Sequence, residues 1–144
     1  MIKKVIDIEH RGEASDSVEL GWFDMQKPNL SAVSHDGVPF MMKVKFTHLH
    51  EGDVLVCEDG HRIGVKRSTD TVYECRFTEP LDFAAAAYEI GNRHQPVRIE
   101  AYTLTVLDDV ALADVLGTLQ KNDRVTVTRT QGYFIPNGKA HHAH

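Results

Sequence analysis

Nine histidines stand in a chain of 144 residues, at positions 10, 35, 48, 50, 61, 94, 141, 142 and 144. Imidazole nitrogen suits nickel, copper, zinc and iron and is a poor ligand for magnesium or calcium. His141, His142 and His144 crowd the C-terminus, and histidine-rich tracts of this kind point to metal binding. His48 and His50 lie two apart, so a strand would turn both to one face. Beside the acidic turn Glu51-Gly52-Asp53, plain surface explains that pair more simply than a metal site. His94 stands alone, but in a distinctive setting: Ala84-Ala85-Ala86-Ala87-Tyr88-Glu89-Ile90-Gly91-Asn92-Arg93-His94-Gln95-Pro96. Four consecutive alanines favour a helix. Gly91 falls where a helix ends in the left-handed conformation that glycine adopts freely. Pro96 forbids the helix from resuming and biases Gln95 to extended geometry. The pattern therefore predicts Asn92, Arg93 and His94 on a short rigid turn, with the imidazole offered outward.

The elements that position these residues change rhythm near the middle of the chain. Residues 1–70 read as short strands separated by turns: 4–8, 17–23, 29–34, 39–45, 54–57 and 62–66, with Asp36-Gly37 and Asp59-Gly60 as tight hairpin signals. That spacing predicts a small all-β sandwich or barrel. The polar run Arg67-Ser68-Thr69-Asp70 marks the boundary. Residues 71–136 read as strand 72–77, a helix from Pro80, strands 97–100 and 102–107, a helix opened by Asp108 and Asp109, and strand 124–128. Thr78 or Glu79 could cap the first helix, whose Leu81, Ala84, Ala85 and Tyr88 share one stripe. Leu112, Val115, Leu116 and Leu119 form the stripe of the second. The order is that of a ferredoxin-like split βαβ domain, so the class is α+β. Residues 137–144 read as a loose tail. Extended from Pro136, it reaches on the order of 30 Å.

Composition excludes several classes. The formal net charge is −5, from 16 basic and 21 acidic residues, with no basic stripe of the kind nucleic acid demands. An RNA-binding module of this topology would also need exposed aromatics on its central strands. No apolar run approaches the roughly 18 residues of a transmembrane helix, and Met1-Ile2-Lys3-Lys4-Val5 does not begin a signal peptide, so the cytoplasm is the expected location. Cys57 and Cys75 lack metal-site spacing and read as buried apolar residues. Each half is about 70 residues, a size at which one core is marginal and self-association helps.

The run Tyr88-Glu89-Ile90-Gly91-Asn92-Arg93-His94-x-Pro96 resembles the signature of the urease accessory protein UreE family, the nickel metallochaperones. Gly91-Asn92-Arg93-His94 is its most specific piece. Glu51–Gly60 is similar to the family's Gly-Asp-x-Leu segment, and Pro80-Leu81 and Val106-Leu107-Asp108-Asp109 also match. The resemblance covers most of the chain and is weakest over the first fifteen residues. It implies a homodimer with His94 of each protomer as ligand on the twofold axis, where a residue meets its own copy. His141, His142 or His144 would complete the shell. Detachable tail ligands suit a carrier that must release its ion, whereas a closed four-ligand site keeps it. The resemblance further implies Ni(II) as cargo, urease apoprotein and an accessory GTPase as partners, and no catalysis. Several members carry a His-x-His pair on the strand before the Leu-Asp-Asp element. Thr103-Leu104-Thr105 stands there in this chain, so those secondary sites are not expected.

Two rival readings use the same residues. A zinc- or copper-buffering protein of this fold fits because imidazole does not choose nickel over Zn(II) or Cu(II). A metal-dependent hydrolase would pair His94 with Asp108 or Asp109, but needs an enclosed pocket and at least three fixed ligands.

Overall fold

In a computed structural model of the chain, residues 1–43 and 48–138 are described. The backbone forms two compact units, Met1–Thr69 and Asp70–His144.

The first unit contains β1 (Lys3–Glu9), β2 (Asp16–Leu20), a one-turn helix α1 (Trp22–Met25), β3 (Asn29–Val33), β4 (Pro39–Lys43), β5 (Val54–Cys57) and β6 (Arg62–Arg67). The strands make one sheet in the order β2-β6-β5-β1-β4-β3, not the two stacked sheets of a sandwich. β1 pairs parallel with β4 and β2 with β6; the remaining pairs are antiparallel. Both Asp-Gly hairpins form, with Gly37 at φ 83° and Gly60 at φ 89°, left-handed values that a side chain resists. Alternation delivers Val18, Leu20, Leu30, Phe40, Met42, Leu55, Cys57, Ile63 and Val65 to one apolar cluster. Residues 22 and 23, expected to continue the second strand, turn into α1 instead. The Leu20 carbonyl accepts from the Ser68 N–H (2.9 Å), and the helix then buries Met25 in the cluster. The end of the expected strand 39–45 lies outside the described residues.

One buried carboxylate ties this unit together. Asp16 has a fully enclosed side chain. It accepts from the N–H groups of Ser17 (2.8 Å) and Asp36 (3.1 Å) and lies 2.8 Å from His61 Nε2. Burial alone would raise its pKa. The hydrogen bonds from Ser34, His61, Ser17 and Asp36 outweigh that and hold it down to about 2. Because the folded value lies below the unfolded one, this contribution to stability is complete above the unfolded pKa near 3.8. It is lost as pH falls through about 2.

The second unit contains β7 (Asp70–Phe77), α2 (Pro80–Asn92), β8 (Val97–Glu100), β9 (Thr103–Leu107), a 3-10 turn (Val110–Leu112), α3 (Ala113–Gln120) and β10 (Val125–Gly132). Its sheet runs β10-β7-β9-β8, antiparallel throughout, so β8 is an edge strand. The expected order of strands and helices is present. β10 extends four residues past the expected end because it pairs with β7 along its whole length. Leu112, Val115, Leu116 and Leu119 are buried as their spacing demands. α2 is seated by Ile90 (0% exposed) and Ala86, and by the Phe83 ring, whose centroid lies 5.6 Å from that of Phe77 and 5.7 Å from that of Tyr102. Gly117 lies inside α3, with open space where a Cβ would go. Gly117→Ala should therefore stabilise the chain by about 1 kcal/mol. A thermal melt checks this, and the midpoint rises.

Both cysteines are buried and unbonded. Burial, aided by the Glu74 charge, pushes the Cys75 thiol up to about 11.

Candidate metal centre

The turn that carries His94 departs from its expected geometry in an informative way. Gly91 does not stop the helix: α2 runs through it to Asn92, with Arg93 as C-cap. The left-handed residue is His94 itself, at φ 56°. Its N–H donates to the Gly91 carbonyl (3.0 Å) and the Gln95 N–H donates to the Ile90 carbonyl (3.4 Å). That pair of bonds is the Schellman closure, with His94 in the position glycine usually fills. A side chain in this conformation costs about 1–2 kcal/mol. The backbone of His94 is thereby fixed at an exposed helix end. Strain of this sort, held in place by its surroundings, is found at functional sites. Arg93 braces the end of α2 through Nη1 to Glu89 (2.9 Å) and Nη2 to Asp114 of α3 (2.5 Å).

The stripe leading to this turn faces the opposite way from the core. Leu81 (79% exposed) and Tyr88 (70% exposed) lie on solvent with Ala84 and Ala85. Leu81, Ala84, Ala85 and Tyr88 sit at i, i+3, i+4 and i+7, so they form one apolar band along the outer side of α2.

His141, His142 and His144 lie outside the described residues. Of the expected tail only Asn137 and Gly138 are described, and those two are not loose. Asn137 and Gly138, read from sequence as part of the tail, hydrogen-bond to the edge strand β8. His48 and His50 are both exposed, with Leu49 buried between them, but residues 48–50 lie outside any strand, so the strand expected to turn them to one face is not there. His10 Nδ1 lies 3.3 Å and His50 Nδ1 3.9 Å from the Asp53 carboxylate. Among the described residues, no group of three or more His, Cys, Asp or Glu side chains is gathered to hold a metal ion.

The acids a hydrolase would use have other partners. Asp109 caps the 3-10 turn by accepting from the Ala111 N–H (2.8 Å), and Asp108 accepts from Arg129 Nη2 (3.2 Å). Thr103 and Thr105 lie on β9, and neither supplies a nitrogen ligand.

Comparison with known families assigns both units. Residues 2–66 match the UreE urease accessory protein N-terminal domain and residues 70–144 the UreE urease accessory protein C-terminal domain. The chain is 56% identical over 144 residues to the urease accessory protein UreE of Aliarcobacter butzleri (strain RM4018), covering 100% of this chain and 97% of that one. This chain belongs to the UreE family of urease accessory proteins. It is also 32% identical to the UreE of Bradyrhizobium sp. (strain ORS 278) and 33% identical to that of Paracidovorax citrulli (strain AAC00-1). It covers 66% and 61% of those two longer relatives, while 94% and 88% of its own length is matched. The family assignment extends over both units and includes the turn that carries His94.

Two features of the centre escaped the sequence. The outward face of α2 was hidden because both of its sides are apolar. The pairing of Asn137 was hidden because Asn-Gly after proline reads as a turn. Among the described residues, no helix is long and apolar enough to cross a membrane.

Proposed function

We propose that this chain is a nickel metallochaperone, carrying Ni(II) as cargo for the assembly of the urease active site. Two protomers associate through the apolar band of α2. The band leads to His94, so a twofold axis along it brings the two imidazoles together. His141, His142 and His144 supply the remaining nitrogen ligands. The observation that carries this reading is a histidine held at φ 56° on an exposed helix end, continuous with an apolar band that no other described element of its unit covers. Membership of a urease accessory family supports the destination of the metal. Urease apoprotein and an accessory GTPase are the proposed partners, met through the Met1–Thr69 unit, and the cytoplasm is the proposed location. We read the second unit as ferredoxin-like, on the strength of its 4-1-3-2 antiparallel strand order. The first we read as barrel-like. No catalytic role is proposed.

Zn(II) or Cu(II) buffering remains the second reading, since the same nitrogen donors serve either ion.

The ligand chemistry makes a pH prediction. Imidazole ligates only when neutral, and its free pKa is about 6.5. Two histidines then lose about 100-fold in affinity as pH falls from well above that value to 5.5. Titration calorimetry with Ni(II) at pH 8, 6.5 and 5.5 should show this decline. Affinity constant from pH 8 to pH 5 contradicts histidine ligation.

A further inference from the structure

We infer that Asn137, seconded by Gly138, is a positioning residue that fixes where the histidine-bearing terminus leaves the fold, close to His94. This deepens the proposed function and rests on its tail ligands. The Asn137 side chain treats strand β8 as a neighbouring strand would. Its Oδ1 accepts from the Ile99 N–H (2.6 Å) and its Nδ2 donates to the Ile99 carbonyl (2.8 Å). Gly138 exchanges both backbone bonds with Val97, at 2.7 and 2.9 Å, and the Asn137 N–H adds a third contact to the Val97 carbonyl (3.1 Å). Glycine fits closely there: a Cβ would lie 3.0 Å from Val97 Cγ1 and 3.2 Å from Ile99 Cδ1, so those side chains would have to give by a few tenths of an ångström.

The place of this clamp matters because β8 begins three residues after His94. Three peptide units span at most about 11 Å, and a doubly bonded antiparallel pair sits about 5.5 Å apart. Gly138 therefore lies within about 17 Å of His94. A chain of three to six residues, the separation of His141 to His144 from Gly138 in sequence, can span at most about 10 to 20 Å. Without the clamp the next buried residue is Phe134, which is 1% exposed. The leash to His141 then lengthens from three residues to seven. Effective concentration falls roughly as the −3/2 power of length, so it drops about two- to fourfold for each tail. Edge protection is a second effect of the same contacts, but it carries no dependence on the tail histidines.

The test compares Ni(II) affinity, by competition with a chelator, for four full-length proteins. These are the native chain, Asn137→Ala, a variant with His141, His142 and His144 all changed to Ala, and the variant combining both sets. Thermal melts confirm folding, and Gly138→Ala serves as an independent way to release the clamp. The expected result is a loss of at least about twofold on Asn137→Ala with the tail histidines present and none without them. An equal loss in both backgrounds makes Asn137 merely structural and overturns the inference. So does unchanged affinity in both Asn137→Ala and Gly138→Ala when removal of the tail histidines weakens binding. If removing the tail histidines alone leaves affinity unchanged, the tail-ligand reading fails, and the clamp's role fails with it.

Discussion

His94→Gly should make the protein more stable and abolish Ni(II) binding at the proposed dyad site. The substitution puts glycine at the helix C′ position that His94 now fills at φ 56°. Relief of the left-handed strain is worth about 1 kcal/mol, or roughly 4–8 °C in the melting midpoint of a unit this size. The same change removes the imidazole from both protomers. Altering an outer partner of a metal ligand already costs about 10–100-fold in affinity, so loss of two ligands costs at least about 100-fold. His94→Ala separates the two effects, because alanine keeps the strain. It should bind Ni(II) as poorly as glycine does, with a melting midpoint near the native one. Stability that falls in His94→Gly would mean that the imidazole contributes to the fold through its own contacts.

Tyr88→Glu should yield a monomer. Tyr88 is 70% exposed in the protomer, so the substitution costs the isolated unit little. In a twofold interface it places two carboxylates in a dehydrated apolar band. Each buried charge without a partner costs on the order of 3 kcal/mol, which raises the dimer dissociation constant by at least about a thousandfold. Sedimentation velocity at micromolar concentration should show the monomer. Affinity for Ni(II) should fall with it, although every proposed ligand is untouched. A Tyr88→Glu protein that remains dimeric would place the interface elsewhere.

These expectations show what could be read from the residues alone. Strand positions in both units followed from alternation and from the Asp-Gly turns, whose glycines take the left-handed values that chemistry requires. The face of α3 followed from its spacing. The ending of α2 did not. Gly91 carries the strongest local signal for a stop, yet it sits inside the helix, and the left-handed position falls three residues later. Local propensity favours glycine there, so a strained histidine can be recognised only from the hydrogen bonds that close the helix around it. The outward band of α2 was ambiguous for a different reason. Leu81, Ala84, Ala85 and Tyr88 form one apolar side and Phe83, Ala86, Ala87 and Ile90 another, and periodicity does not say which side meets the sheet. A helix apolar on both sides has to be covered twice, and that demand is the physical root of the proposed dimer. Asn137 was missed because a side chain that imitates a strand's pairing leaves no trace in pattern or composition.

Native mass spectrometry with Ni(II), on the native chain and on His94→Ala, tests the central claim most directly, because it reports subunits and ions together. The native protein should appear as a dimer carrying one ion at the twofold axis, and His94→Ala as a dimer without it. Ni(II) held by a monomer of the native chain, or one ion retained by the His94→Ala dimer, would contradict a site shared across the axis.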